Sequence, residues 1–144
     1  EFIELPHDEA AALLARNFVG RLAFTFRDRV DIEPISYVFA DQSIYGRTSP
    51  GAKLTTVRHH PWVAFEVDEI AGRFDWKSVV ARGTLYLLEP TGAEADREAY
   101  ERAVEALRTL DKDALTPNDA TPHRTRVFRI FVDEITGRAA RGAD

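Results

Sequence analysis

Between Arg21 and Leu88 the chain is a series of short runs in which apolar and polar residues alternate, cut by compact polar turns. Leu22, Phe24 and Phe26 share one face of the first run, Arg21–Phe26, and Arg27-Asp28-Arg29 turns it back. Val63, Phe65 and Val67 repeat the pattern after Pro61. The longest run, Trp76–Leu88, puts Val79, Ala81, Gly83, Leu85 and Leu87 on one face and stops before Pro90. A period of two is what a half-buried strand needs, and turns this short join antiparallel neighbours. An unpaired strand edge invites other chains, so about six such strands are expected to close on themselves. The predicted fold is mainly β with flanking helices, arranged as a small antiparallel barrel. Gly83 is the expected bend where the long strand turns a corner.

Two segments carry a helical period instead. Asp8–Phe18 has Leu13 and Leu14 as its stripe, with Gly20 as its stop. Glu94–Leu110 has Ala99, Ala103, Leu107 and Leu110 at helical spacing. A polar loop, Asp111–His123, leads to a last strand, Arg124–Ile135, and a tail from Thr136 to Asp144. At 144 residues one domain, 1–144, is expected.

The second run, Val30–Phe39, changes phase. Val30 and Ile32 give way to Ile35, Tyr37 and Phe39, and Pro34 lies between the sets. A proline at a phase change predicts a bulge or an edge, which leaves backbone groups free for a ligand. The next segment, Ile44–Lys53, reads I-Y-G-R-T-S-P-G-A-K. It is predicted to pass from a strand, Ser43–Thr48, into a helix from Pro50 to about Arg58, with Ser49 as cap. Arg47, Thr48, Ser49 and Lys53 gather at that switch, where a helix start would favour an anion such as phosphate. The same residues are equally readable as a capped helix with solvated cations.

Composition narrows the function classes. A net charge of −5 argues against a general nucleic-acid surface. No apolar run reaches the roughly 18 residues of a membrane helix. With no cysteine, disulfides, thiolate-bound zinc and thiol catalysis drop out, and a cytoplasmic setting is favoured. His7, His59, His60 and His123 form no metal pattern, so no metal is expected. Asp68-Glu69 and Asp133-Glu134 read as solvated turn residues, and no Ser-His-Asp arrangement is recognisable.

Six motifs in order carry a resemblance: G-R-L-A-F at Gly20–Phe24, P-I-S-Y at Pro34–Tyr37, the Ile44–Leu54 segment, W-K-S-V-V at Trp76–Val80, R-G at Arg82–Gly83 and I-T-G-R at Ile135–Arg138. The chain resembles the pyridoxamine 5′-phosphate oxidase-like flavoproteins, and looks closest to the branch that includes nitroimidazole-resistance proteins. The resemblance implies a six-stranded antiparallel Greek-key split barrel of the FMN-binding type. It implies a homodimer with flavin sites at the interface and a flavin-dependent oxidoreductase acting on a small molecule. FMN is the implied cofactor, with a deazaflavin or FAD as alternatives. Its phosphate would lie near Arg47, Thr48, Ser49 and Lys53, and its ring along Pro34, Ile35, Ser36 and Tyr37. Trp76, Ser78 and Val79 would approach it from a site shared between subunits. No catalytic side chain is assigned, since the redox chemistry would belong to the cofactor. Two departures stand out. Ala52 replaces one of a pair of cations common at this point, and Arg47 stands where the nitroimidazole-resistance branch has a histidine. Two other readings remain open: a flavin or deazaflavin binder without turnover, and a dimeric interaction domain without a cofactor.

Overall fold

Strand Arg126–Ala140, near the end of the chain, lies at the centre of the sheet. The computed structural model describes residues 1–142, apart from the side chains of Arg58 and His59. In chain order the elements are β1 (Phe2–Glu4), α1 (His7–Arg16), β2 (Val19–Phe26), β3 (Arg29–Ser36), β4 (Val38–Ala40), β5 (Ser43–Thr48), a 3-10 helix (Lys53–His59), β6 (Trp62–Gly72), β7 (Asp75–Leu88), α2 (Glu94–Leu110) and β8 (Arg126–Ala140).

The strands form one antiparallel sheet in the order β3-β2-β6-β7-β8-β5-β4, with β1 added to β8. The sheet is not closed into a barrel, so the expected six-stranded closed barrel is corrected to an open sheet of eight strands. The ends of the path show why. β3 is an edge strand whose Pro34 has no N–H to donate, and β4 has only three residues. Where β3 nears β5 the contact is side-chain packing: a Cβ on Gly46 would stand 3.1 Å from Ile35 Cγ2.

Local chemistry explains most elements. Leu22, Phe24, Val63, Phe65, Val67, Val79, Ala81 and Leu85 alternate into one core, as a period of two requires. Leu13 and Leu14 of α1 pack on it, and Ala103 and Leu107 of α2 pack with Tyr45 and Val127 in a smaller cluster. β3 pairs with β2 without a break, so the phase change at Pro34 is no bulge. It marks instead an edge strand that turns Ile35 inward and leaves Val30 and Ile32 82% and 60% exposed.

Three further expectations change. Gly20 is no helix stop; it lies in β2, where an added Cβ would meet the Phe65 ring at 2.3 Å. The segment predicted as a helix from Pro50 starts as a turn, Ala52 N–H to Ser49 O at 3.1 Å, and becomes a 3-10 helix only at Lys53. There Thr55 and Thr56 hydroxyls donate back to the Ala52 and Lys53 carbonyls, both at 2.7 Å, which suits a tight turn better than an α-helix. The last strand extends beyond Ile135 to Ala140, because β1 and β7 pair with residues read as tail.

The bend expected of β7 at Gly83 is not a break in β7, which pairs with β6 straight through Gly83; the irregularity lies in β8, where Asp133 is the extra residue. The β7–β8 register shifts between Arg82 and Gly83, and a Cβ at Gly83 would lie 1.9 Å from the Phe131 carbonyl oxygen. Gly83→Ala is therefore expected to lower stability by about 1–3 kcal/mol, read as a lower urea midpoint at unchanged slope. Gly51→Ala, whose methyl meets open space, should change stability by less than about 0.5 kcal/mol.

Candidate functional site

The residues singled out at β3 and β5 fall into three environments. On β3, Pro34 and Ser36 are exposed while Ile35 is buried. Tyr37, just beyond, is fully buried; its hydroxyl donates to Leu14 O at 2.5 Å, its ring meets Phe65 edge-on, and its N–H donates to Phe18 O. Burial pushes the Tyr37 phenol well above its ordinary range, so it remains a neutral donor. What this stretch offers a ligand is backbone: among the described residues β3 pairs with β2 alone, and along its other side only the Ile32 N–H is taken, by Asp31 Oδ1.

At the end of β5, Thr48 is nearly buried and Ser49 half-exposed, and neither hydroxyl has a hydrogen-bond partner among the described residues. Lys53 lies farther along. Its ammonium donates to Asp31 at 3.0 Å and sits 5.4 Å from the Phe26 ring centroid, so it guards the start of β3. The Lys53 bond holds the Asp31 carboxyl below its ordinary range. The side chain of Lys53 is still 54% exposed, leaving donors for a further anion.

Arg47 is differently engaged. Its guanidinium forks onto both Asp119 oxygens, donates to Thr121 Oγ1 at 3.1 Å and to the Arg124 carbonyl at 3.3 Å, and lies 3.6 Å from Asp111. Asp119 also accepts the N–H groups of Leu115 and Thr121, each at 2.9 Å. Arg47 and Asp119 side chains are only 10% and 2% exposed. This clasp pins the segment between α2 and β8, including Leu115 at a φ of 59°, a conformation rarely adopted by a leucine. The Arg47 bonds, with the Thr121 and Leu115 amides, hold the Asp119 carboxyl far below the usual carboxylate range against the opposing effect of burial.

Ser36 and Arg47 line one cavity of about 280 Å³. Phe18, Leu107, Leu110, Ala114 and Ala120 give it apolar wall, and Asp111, Thr121 and Arg124 give it polar wall. None of these eight was singled out in the sequence, because they come from three separated segments; the helical stripe of Leu107 and Leu110 was the one visible signal.

Trp76, Ser78 and Val79 stand apart from this cavity. Val79 is core, and Trp76 stacks at a tilt on Phe2. Ser78 faces outward and donates to Glu66 at 2.7 Å. Arg21 bridges Glu66 and Asp68 at 3.3 and 2.7 Å beside it. Burial raises the Glu66 carboxyl pKa above its ordinary value; Asp68 is held low, its bonds with Glu66 and Arg21 outweighing burial. The register places Pro34 opposite Arg21, and Arg21 opposite Glu66, so Pro34 and Ser78 share this outward face.

The frame is thus an open antiparallel sheet with a small, half-apolar cavity beside its free edge. The chain belongs to the pyridoxamine 5′-phosphate oxidase family, whose sequence model matches residues 6–139. It is 29% identical over 143 residues to an uncharacterised protein of Rhizobium meliloti, covering 94% of this chain and 93% of that one. A FAD-binding protein from Mesorhizobium loti has a similar structure, at a TM-score of 0.78 and 29% identity, covering 97% of this chain and 99% of that one. A conserved protein of unknown function from Corynebacterium diphtheriae follows at 0.72 and 28%, covering 97% and 98%.

The clasp predicts a specific pH dependence. A depressed folded pKa gives stability that is present above the unfolded carboxyl value, about 3.9, and lost as pH falls through the folded one. Asp119→Asn should lower the melting temperature at pH 7, and the gap to wild type should narrow as pH drops below about 4. A gap that persists unchanged to pH 2 would remove the charge from the explanation.

Proposed function

We propose that the protein is a flavin-dependent oxidoreductase that binds its cofactor at the open edge of β3 and acts on a small organic molecule. One observation carries the reading: the free edge of β3, at Ser36, and the end of β5, at Arg47, meet at one cavity, with Thr48 and Ser49 next along the chain. Thr48 and Ser49 hydroxyls, the turn amides before Lys53 and the Lys53 ammonium would take the phosphate. The support for phosphate is thus hydroxyls and one exposed cation; the short 3-10 helix adds no α-helix dipole, and Arg47 is spent on Asp119. Edge-facing backbone groups between Pro34 and Ser36 would bond the polar edge of the ring, the Tyr37 N–H being spent on Phe18 O. The flavin supplies the hydride or electron transfer; this chain's residues position it and exclude water.

FMN is the proposed cofactor. The FAD-binding relative from Mesorhizobium loti makes FAD the leading alternative, and a deazaflavin would use the same contacts. A second copy of the chain is proposed to complete the site. The cavity is small beside the roughly 300–1,000 Å³ of ligand pockets. Val30, Ile32 and Trp62 also leave an apolar strip open on the outer face, next to Ser78 and the Arg21 cluster. A second reading, flavin binding without turnover, is favoured by Ala52 and by the engagement of Arg47, which leave few cations for the phosphate.

The purified protein should be yellow, and should release a flavin identifiable by mass on denaturation. Lys53→Ala and Thr48→Ala should each weaken FMN binding by about tenfold with the fold intact. Colourless protein whose melting temperature ignores added FMN and FAD would sink the flavin reading. Reduction of bound flavin by NADH or NADPH, followed by reoxidation with an organic acceptor, separates an enzyme from a mere binder. Ile32→Glu should move the protein from dimer to monomer in light scattering.

A further inference from the structure

The cavity beside Ser36 holds a second clue, to what it takes besides the cofactor. Two guanidinium groups line it, and they differ in kind. Arg47 has its fork filled by Asp119 and Thr121, with Asp111 nearby. A guanidinium already bidentate on a buried carboxylate has little left to offer an incoming anion. Arg124 has its backbone fixed on both sides: its N–H donates to Thr121 O at 3.0 Å, and its carbonyl accepts from Arg47. Its side chain, among the described residues, meets no carboxylate and makes no hydrogen bond. The clasp therefore holds the Arg124 backbone in place and leaves its five donors unspent at the cavity.

The remaining walls set the rest of the ligand. Phe18, 60% exposed, and Leu110, 45% exposed, present apolar surface together with Leu107, Ala114 and Ala120. Among the described residues, Asp111 is the one carboxylate on the cavity wall. It is turned to other duties: one oxygen lies 3.6 Å from Arg47 and the other accepts the Asp113 N–H. Arg47, Asp111 and Asp119 together carry a net charge of −1, which Arg124 brings to zero. A ligand that brings one negative charge on an apolar body matches both the free guanidinium and the walls.

We propose that Arg124 is the specificity-determining residue of this cavity, which takes a small, flat, mostly apolar organic acid and reads its carboxylate or an equivalent anion. The proposal rests on the flavin reading only for calling that molecule a substrate; the binding itself needs no flavin.

Benzoate is the probe, with benzamide as its neutral counterpart, titrated calorimetrically into the purified protein at low ionic strength. Benzoate should bind more tightly than benzamide, and added salt should narrow the difference. Arg124→Gln should weaken benzoate about tenfold and leave benzamide within about twofold; Arg124→Lys should retain part of the preference. Arg124 is exposed, so both variants should keep the wild-type melting temperature. Equal affinity for the two probes, no binding of either, or a benzoate affinity unmoved by Arg124→Gln would overturn the proposal. Flavin content is measured separately, so an organic-acid site on a colourless protein would uphold this inference while the flavin reading fails.

Discussion

The approach of Gly83 to the Phe131 carbonyl is the contact on which the architecture turns. β8 pairs with β7 along nearly its whole length, and the register shift at Arg82/Gly83 divides that ladder. Before the shift, β8 uses its other side to pair with β5; after it, with β1. Two strands in tandem on one side of β8 need it to bend between them, and a bulge opposite a residue with no side chain supplies the bend. The consequence reaches the site. β5 is held by β8 from Ser43 to Thr48, so the position of Arg47 and Thr48 beside the β3 edge is set from the far strand.

From β5 the order passes to a segment that has no strand or helix of its own. The residues between α2 and β8 would be a long free loop, of the sort that packs poorly without internal anchors. Asp119 is the anchor: it satisfies two amides of its own loop and both arms of Arg47. Ion pairs on an open surface contribute little, whereas a pair out of water that loses one partner leaves a stranded charge. With both side chains nearly buried, this pair belongs to the second kind, and it can hold a left-handed leucine that the chain would otherwise release.

How legible all this was depends on the distance over which each cause acts. β2, β6 and β7 could be read directly, since their alternation is local and the core enforces it. Gly83 was legible as a special position, but the extra residue is Asp133 of β8, which local alternation does not reveal as its neighbour. Thr136–Ala140 was not, because Thr-Gly-Arg-Ala-Ala has no apolar alternation and is a strand only through its neighbours β1 and β7. Ser49-Pro50 imitated a helix cap, yet the turn and two threonine hydroxyls drew the backbone into a tighter helix. Closure was inferred from the hazard of open edges, but Pro34 and a three-residue strand blunt those edges without closing them. At the site, hydroxyls and cations were visible as types. The fate of Arg47 was not, since its partner lies 72 residues away.

That fate has parallels elsewhere in the molecule. Cations are matched to carboxylates across distant elements: Arg16 to Glu69, Arg21 to Asp68, Lys53 to Asp31, Lys77 to Glu9 and Arg126 to Glu89. Glu69 shows how tightly, since bonds from Arg16 and Asn17 draw its pKa down to about 2. Most of the other described arginines, Arg27, Arg29, Arg73, Arg97 and Arg102 among them, meet no carboxylate, so an unmatched guanidinium is not in itself unusual here. On an open surface an unmatched guanidinium means little, because water and salt screen it. Arg124 is exposed too, but it lines a half-apolar cavity, and its backbone is fixed by the same clasp that occupies Arg47. There an unmatched guanidinium is a standing demand for an anion that the chain does not itself supply.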